Sequence, residues 1–294
     1  TALAIGMFVF GAGVGTLDVG MNASGVVVEE RYGRSIFSSL HAMWSAGGIL
    51  GALIGGFALA GHSPMWLTLS VTGGITAIAS LLLTSSLIAD KPKAQPKGEL
   101  KTEGKRANRK VLGLVLAVGV MACFAAIAEG SAVDWSALHL NTVLNATSAE
   151  AALGVGAFST AMAIARLLGD KLVDRFGRIN VIRYGSLIAT VGVATASFAP
   201  SWQVAVVGWG VLGIGVSGVI PQLFIAAGSI GEESHKGRNM AKVFGLTYFG
   251  IMAGPALIGF LTNWIPLNQA LALGAILCLC VAAGASILKS KKFR

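Results

Sequence analysis

Charge is scarce in this chain. Of its 294 residues only 12% are Asp, Glu, Lys or Arg, about half the quarter typical of a soluble domain. Residues of the AVILMFWYC set make up 54%, and with the 40 glycines the share reaches roughly two thirds, against about half in a soluble domain. Too little polar material is present to coat a soluble globule. A soluble enzyme, a disordered chain and a nucleic-acid binder are thereby excluded. Cysteine is almost missing: Cys123, Cys278 and Cys280 all lie in apolar stretches, and they form neither a disulfide framework nor a metal-ligand spacing. No G-x-x-x-x-G-K-[ST] loop occurs, which disfavours a nucleotide-driven pump. No cofactor, metal or enzymatic activity is expected.

Long apolar runs take the place of what is lacking. A membrane-spanning helix needs about 20 mostly apolar residues, and nine stretches qualify, at about 1–28, 37–60, 65–89, 111–135, 150–168, 179–199, 202–230, 242–262 and 267–288. Glycine inside a span lets helices approach closely, as in Gly47-x-x-x-Gly51 and Gly250-x-x-x-Gly254. Orientation follows from a count. With the residues just inside the flanking spans, the breaks at 29–36, 90–110, 169–178 and 231–241 and the tail from Lys289 hold all 22 Lys and Arg. The breaks on the other side hold none. Under the positive-inside bias the basic side is cytoplasmic, so the net charge of +9 is a topology signal rather than a binding face.

An internal repeat adds to this. An offset of 203 residues pairs Gly15 with Gly218, Glu29 with Glu232, Glu30 with Glu233, Gly47 with Gly250, Gly51 with Gly254 and Phe57 with Phe260. The first three spans therefore look like a copy of the last three. Spans four to six would then have their own copy before Thr1, which makes the chain the C-terminal three quarters of a twelve-helix protein. The expected architecture is an all-α polytopic helical bundle of two pseudo-symmetric six-helix halves, with nine of twelve helices present. Residues 1–89 would close the N-terminal half, 90–110 form a basic cytoplasmic linker, and 111–294 make the C-terminal half.

Between the fifth and sixth spans runs Gly169-Asp170-Lys171-Leu172-Val173-Asp174-Arg175-Phe176-Gly177-Arg178. A tight turn needs its glycine, and Asp174 beside Arg175 and Arg178 can form a charge cluster that changes partners as helices move. The same run also reads as a plain basic stop followed by a glycine turn. Here the sequence resembles the major facilitator superfamily, whose signature is a D-R-x-G-R turn between the second and third helices of each half. Asp174, Arg175, Gly177 and Arg178 match it, while the family's leading Gly falls at Asp170, with Gly169 one residue early. A second family pattern, Gly-x-x-x-Gly-Pro-x-x-Gly-Gly, is approached on the second span by Gly47, Gly51, Gly55 and Gly56 with Ala52 in place of proline. Gly250, Gly254, Pro255 and Gly259 carry it on the eighth. The runs 15–22 and 129–135 look like the MosC-like branch. The resemblance implies a transport mechanism rather than a named solute.

Depth ranks the candidates for a transport path, because ionisable groups inside a membrane are costly and usually face a cavity. Asp18 lies eleven residues from Glu29, about 16 Å in and near the middle of a roughly 30 Å core. It shares a helix face with Gly11, Gly15 and Asn22. It reads either as part of a cleft wall or as a structural carboxyl bonded to a neighbouring helix. Glu129 lies deeper on the fourth span, as a vestibule or gate residue or an interface one. His41 and Trp44 fall level with Asn22 and Asp18, where packing competes with solute contact. Pro221 and Gln222 offer a hinge and an amide ligand in the seventh span. Arg166, three residues inside the end of its span, is expected to snorkel. Together these features predict a monomeric secondary transporter of the cytoplasmic membrane. It moves a small solute by alternating access with proton coupling, its linker and C-terminus being cytoplasmic. The alternatives are a non-transporting sensor or scaffold of the same fold, or an inactive fragment.

Overall fold

The computed structural model describes residues 2–86, 105–231 and 236–288. Most of the expected basic linker, the pair Glu232–Glu233 and the tail from Lys289 lie outside the described residues. Within them the chain is helical throughout: α1 (Ala2–Tyr32), α2 (Phe37–Ala60), α3 (Met65–Leu83), α4 (Lys105–Thr142), α5 (Ser148–Phe176), α6 (Arg178–Ser197), α7 (Trp202–Val216), α8 (Val219–Gly228), α9 (Lys236–Leu261), α10 (Leu267–Leu271) and α11 (Leu273–Gly284). Eight helical stretches among the described residues are long and apolar enough to cross a membrane, with α7–α8 and α10–α11 each counted as one. The 24-residue α2 occupies the remaining expected span.

Two boundaries differ from the expectation in ways that move functional residues. The fifth span does not stop at 168, where hydropathy falls. α5 continues to Phe176, because Gly169, Asp170 and Val173 keep a buried face through the polar run. It ends at Gly177, whose φ of +80° breaks the helix, a conformation that favours glycine. The seventh span is split at Ser217–Gly218, four and three residues before Pro221. Proline has no N–H for the i−4 carbonyl and its ring crowds that carbonyl. The short α8 that follows buries all ten of its residues. At the other end of the linker, α4 starts at Lys105 and draws the last basic residues into its first turns.

The chain divides into two compact units, residues 1–43 with 106–294, and residues 44–105. The described part of the second unit holds most of α2 and all of α3. α3 buries none of its residues. Its Thr72 and Thr76 hydroxyls donate to the carbonyls of Thr68 and Thr72, which satisfies them within the helix.

The first unit is packed through small residues. α6 and α7 cross with their backbones nearly touching. A Cβ on Gly192 would lie 2.3 Å from the Leu212 amide nitrogen, and one on Gly208 would lie 2.5 Å from that of Ala196. α9 approaches α4 in the same way, since a Cβ on Gly250 would meet the Cys123 carbonyl at 2.5 Å. Between lipid-solvated helices such close contacts replace the hydrophobic drive available in water. Large apolar side chains such as Ile164, Leu167, Val207 and Met252 stay exposed on the outer faces, as a lipid solvent permits. Gly208→Val is expected to destabilise the protein by about 3 kcal/mol or more, because the obstruction is backbone. Gly156→Val, where nothing lies within 4 Å, stays within about 1 kcal/mol of the parent. Thermal unfolding followed by circular dichroism in detergent checks both.

Candidate functional site

The first turn of a helix leaves backbone N–H groups without intrahelical partners. α2 begins after Gly33-Arg34-Ser35-Ile36, which supplies no local capping side chain at Ile36. Three carboxylates from other helices supply the acceptors instead. Glu29, at the end of α1, accepts from the Ile36 and Phe37 amides at 2.9 and 2.8 Å through one oxygen. Asp170, on α5, accepts from the Ser38 and Ser39 amides at 2.9 Å each and also from the Ser39 hydroxyl. Asp174 accepts from the Ser35 amide at 3.3 Å. Five consecutive N–H groups at the positive end of a helix dipole thus face three anions.

The D-R-x-G-R turn builds this arrangement residue by residue. Gly169 makes the approach feasible, since a Cβ there would sit 2.8 Å from the Ser38 Cβ. Asp170 is buried by the same contact and aims both oxygens at α2. Gly177 turns the chain so that Arg178 opens α6 and donates to the free oxygen of Glu29 at 2.5 Å. Arg175 holds its guanidinium over the Phe176 ring, 5.4 Å from the centroid. A cavity of about 810 Å³ opens beside the cap, lined by Glu29, Glu30, Arg34, Asp174 and Arg178 among others.

A second group lies deeper in the same unit. Asp18 accepts from the Tyr248 hydroxyl at 2.6 Å through one oxygen and from the Asn22 side-chain amide at 3.0 Å through the other. The Asn22 amide also donates to the Asp18 carbonyl at 2.8 Å, which fixes its orientation. Its buried Oδ1 has no hydrogen-bond partner among the described residues. His41 bonds the Phe37 carbonyl through Nδ1 at 3.1 Å and sits between the rings of Phe37 and Phe224, at 4.8 and 6.4 Å. Asp18, Arg166 and Asp170 all lie within its electrostatic reach. Gln222 is fully buried on α8. It donates to the Ser38 hydroxyl at 3.4 Å, which links this layer to the capped turn.

Arg166 corrects an expectation. Because α5 runs on to Phe176, Arg166 stands ten residues from the helix end, about 15 Å in, and is 6% exposed. It has no route to the headgroups and does not snorkel. It meets Glu129 on α4 at 3.5 Å, and the other Glu129 oxygen is buried without a partner among the described residues.

The remaining candidates are spread more widely. Trp44 belongs to the second unit and is largely exposed. Gly47 and Gly51 lie there too, with nothing within 4 Å of a built Cβ. Gly250 and Gly254 line the contact of α9 with α4, Gly254 facing Ile127, and Pro255 stands inside α9. Sequence reasoning missed Tyr248 and the full role of Glu29. A lone tyrosine twelve residues into α9, about 18 Å deep, is itself a signal, because its hydroxyl needs a partner at that depth.

Comparison with known proteins bears on the family and the fold. The model of the Major Facilitator Superfamily matches residues 118–292. An uncharacterized MFS-type transporter of Yersinia pestis is 36% identical over 285 residues, 96% of this chain and 71% of its own length. The membrane protein MosC of Rhizobium meliloti is 30% identical over 265 residues, 89% of this chain and 62% of its own. Among solved structures, the E. coli fucose:proton symporter FucP superposes with a TM-score of 0.78 at 16% identity, covering 98% of this chain and 77% of FucP. At that identity the likeness is one of fold. The spans, the D-R-x-G-R turn, the matched family model and these relatives lead to one assignment: the chain belongs to the major facilitator superfamily of membrane transporters.

Proposed function

We propose that this protein is a secondary transporter that moves a small solute across the cytoplasmic membrane by alternating access, with protons as the coupling ion. The observation that carries the reading is Asp18. It is an acidic group near mid-membrane depth whose two oxygens are held by side chains of α1 and α9. A carboxyl in low dielectric can cycle between charged and neutral forms. Glu129, with one oxygen paired to Arg166 and one left over, is the second candidate carrier. Asn22, His41 and Gln222 supply polar groups for a solute in the same region. Structural likeness to a fucose:proton symporter is consistent with coupling to protons.

The capped start of α2 acts in this reading as the gate on the basic, cytoplasmic side. Glu29, Asp170, Asp174 and Arg178 clamp α2 to α1, α5 and α6. Opening on that side requires these bonds to part. Basic residues confined to one side support the orientation. The chain acts as a monomer.

Two outcomes test the reading. Proteoliposomes of the full-length protein, loaded with a pH-sensitive dye, are challenged with a panel of neutral, anionic and amine-bearing small solutes. Asp18→Asn is expected to abolish solute-dependent acidification while counterflow of the same solute persists. Uptake that stays intact in Asp18→Asn, pH dependence included, removes Asp18 as the carrier, and binding without flux in the parent favours a sensor. For the gate, Asp170→Asn turns an amide N–H toward a backbone N–H, and the loss of charge-assisted bonds costs about 1.5–3 kcal/mol. A cysteine at buried Val26, beside the cavity, should then react with an impermeant maleimide from the basic side at least about tenfold faster.

A further inference from the structure

Tyr248 and Asp18 are 230 positions apart, on α9 and α1, yet their side chains meet at 2.6 Å. That length lies in the range of an O–H donor on a carboxyl oxygen. The other donor on Asp18, Asn22, sits one turn along α1 itself. Among the described residues the phenol is therefore the side-chain hydrogen bond that ties α1 to α9 at this level. α9 is anchored on its other faces to the C-terminal half: Phe244, one turn earlier, packs on Phe224 of α8 at 4.1 Å, and Gly250 and Gly254 lie on α4. The charged and titratable groups around Asp18 come from three neighbours. α9 gives Tyr248, α2 gives His41, and Arg166 of α5 and Asp170 act on that same histidine. α8, packed beside α1, carries no ionisable residue between Val219 and Gly228.

We propose that Tyr248 is the positioning residue that converts the charge of Asp18 into contact between the two halves: ionised Asp18 holds α9 to α1 through the phenol, and protonated Asp18 loosens that hold. The inference rests on the reading of Asp18 as the proton carrier. The proton accounting is simple. A proton from water adds to a carboxylate oxygen of Asp18, the phenol keeps its own proton throughout, and no other bond forms or breaks. The phenol O–H then loses its anionic acceptor, and a neutral bond is roughly half as strong as a charge-assisted one. Departure of the same proton restores the tie.

The test needs no identified solute. Spin labels are placed at exposed Ile5 on α1 and exposed Phe260 on α9, in a background without cysteine, in full-length protein in lipid nanodiscs. Their distance distribution is recorded by double electron–electron resonance at a high and a low pH, about 8 and about 5. In the parent a longer-distance population should grow at least about threefold at the lower pH, as the halved bond predicts. Tyr248→Phe keeps the ring and should show the low-pH distribution at both values. A parent without pH response, or a Tyr248→Phe protein that keeps the parent's high-pH distribution, overturns the proposal. Should Tyr248→Phe fail to fold, Asp18→Asn decides: the low-pH distribution at high pH supports the tie, and the parental response overturns it. Proton-coupled flux with no distance response removes the tie but leaves the transport reading. A distance response without flux does the reverse.

Discussion

The start of α2 is where the molecule depends most on a single kind of interaction. A helix that begins against other helices presents bare N–H groups to a place where water cannot be relied on, and each unpartnered group there is costly. The local sequence does not solve the problem, because Ile36 cannot cap. The solution is borrowed: Glu29 from the preceding helix and Asp170 and Asp174 from α5. Such borrowing has a structural result. α2 cannot be correctly terminated unless α1 and α5 are both in place. A requirement of backbone chemistry has become a requirement of assembly.

The deeper layer follows a different rule. There the issue is not backbone but half-buried carboxylates, which need partners of their own. Asp18 meets the rule with two neutral donors, and Glu129 with a cation across the α4–α5 contact. Gln222 spans the two layers, fully buried, with its amide on the Ser38 hydroxyl while the Ser38 amide serves Asp170. One serine thus reads both the capped turn and the centre.

Much of this was legible in the sequence. Long apolar runs gave the spans, and the one-sided basic residues gave the orientation that the proposed function uses. The turn at 169–178 drew attention to side chains that meet at the start of α2, and depth counting ranked Asp18 first for the proposed path. What stayed hidden was hidden for physical reasons. Hydropathy marks where lipid exposure ends, not where a helix ends, so α5 was cut short and Arg166 was assigned to the headgroups. The roles of Asp170 and Glu29 depend on which helix start lies next to them, a fact of packing and not of spacing. Tyr248 carried a readable cue, a lone tyrosine in mid-helix, but its partner lay 230 residues away.

The crossing of α6 and α7 sets how such a protein can move. Gly185, Gly192, Gly208 and Gly215 bring the two backbones together with no side chains between them. Rotamer changes, the usual slack in a helix contact, are therefore unavailable along that seam. The two helices must travel as one beam. Compliance has to be found elsewhere, and the break at Ser217–Gly218, directly beyond the end of the beam, supplies a joint. Beyond that joint, α8 carries Gln222 and Phe224. Stiffness in one segment thus decides that strain is delivered to the segment bearing the polar side chains.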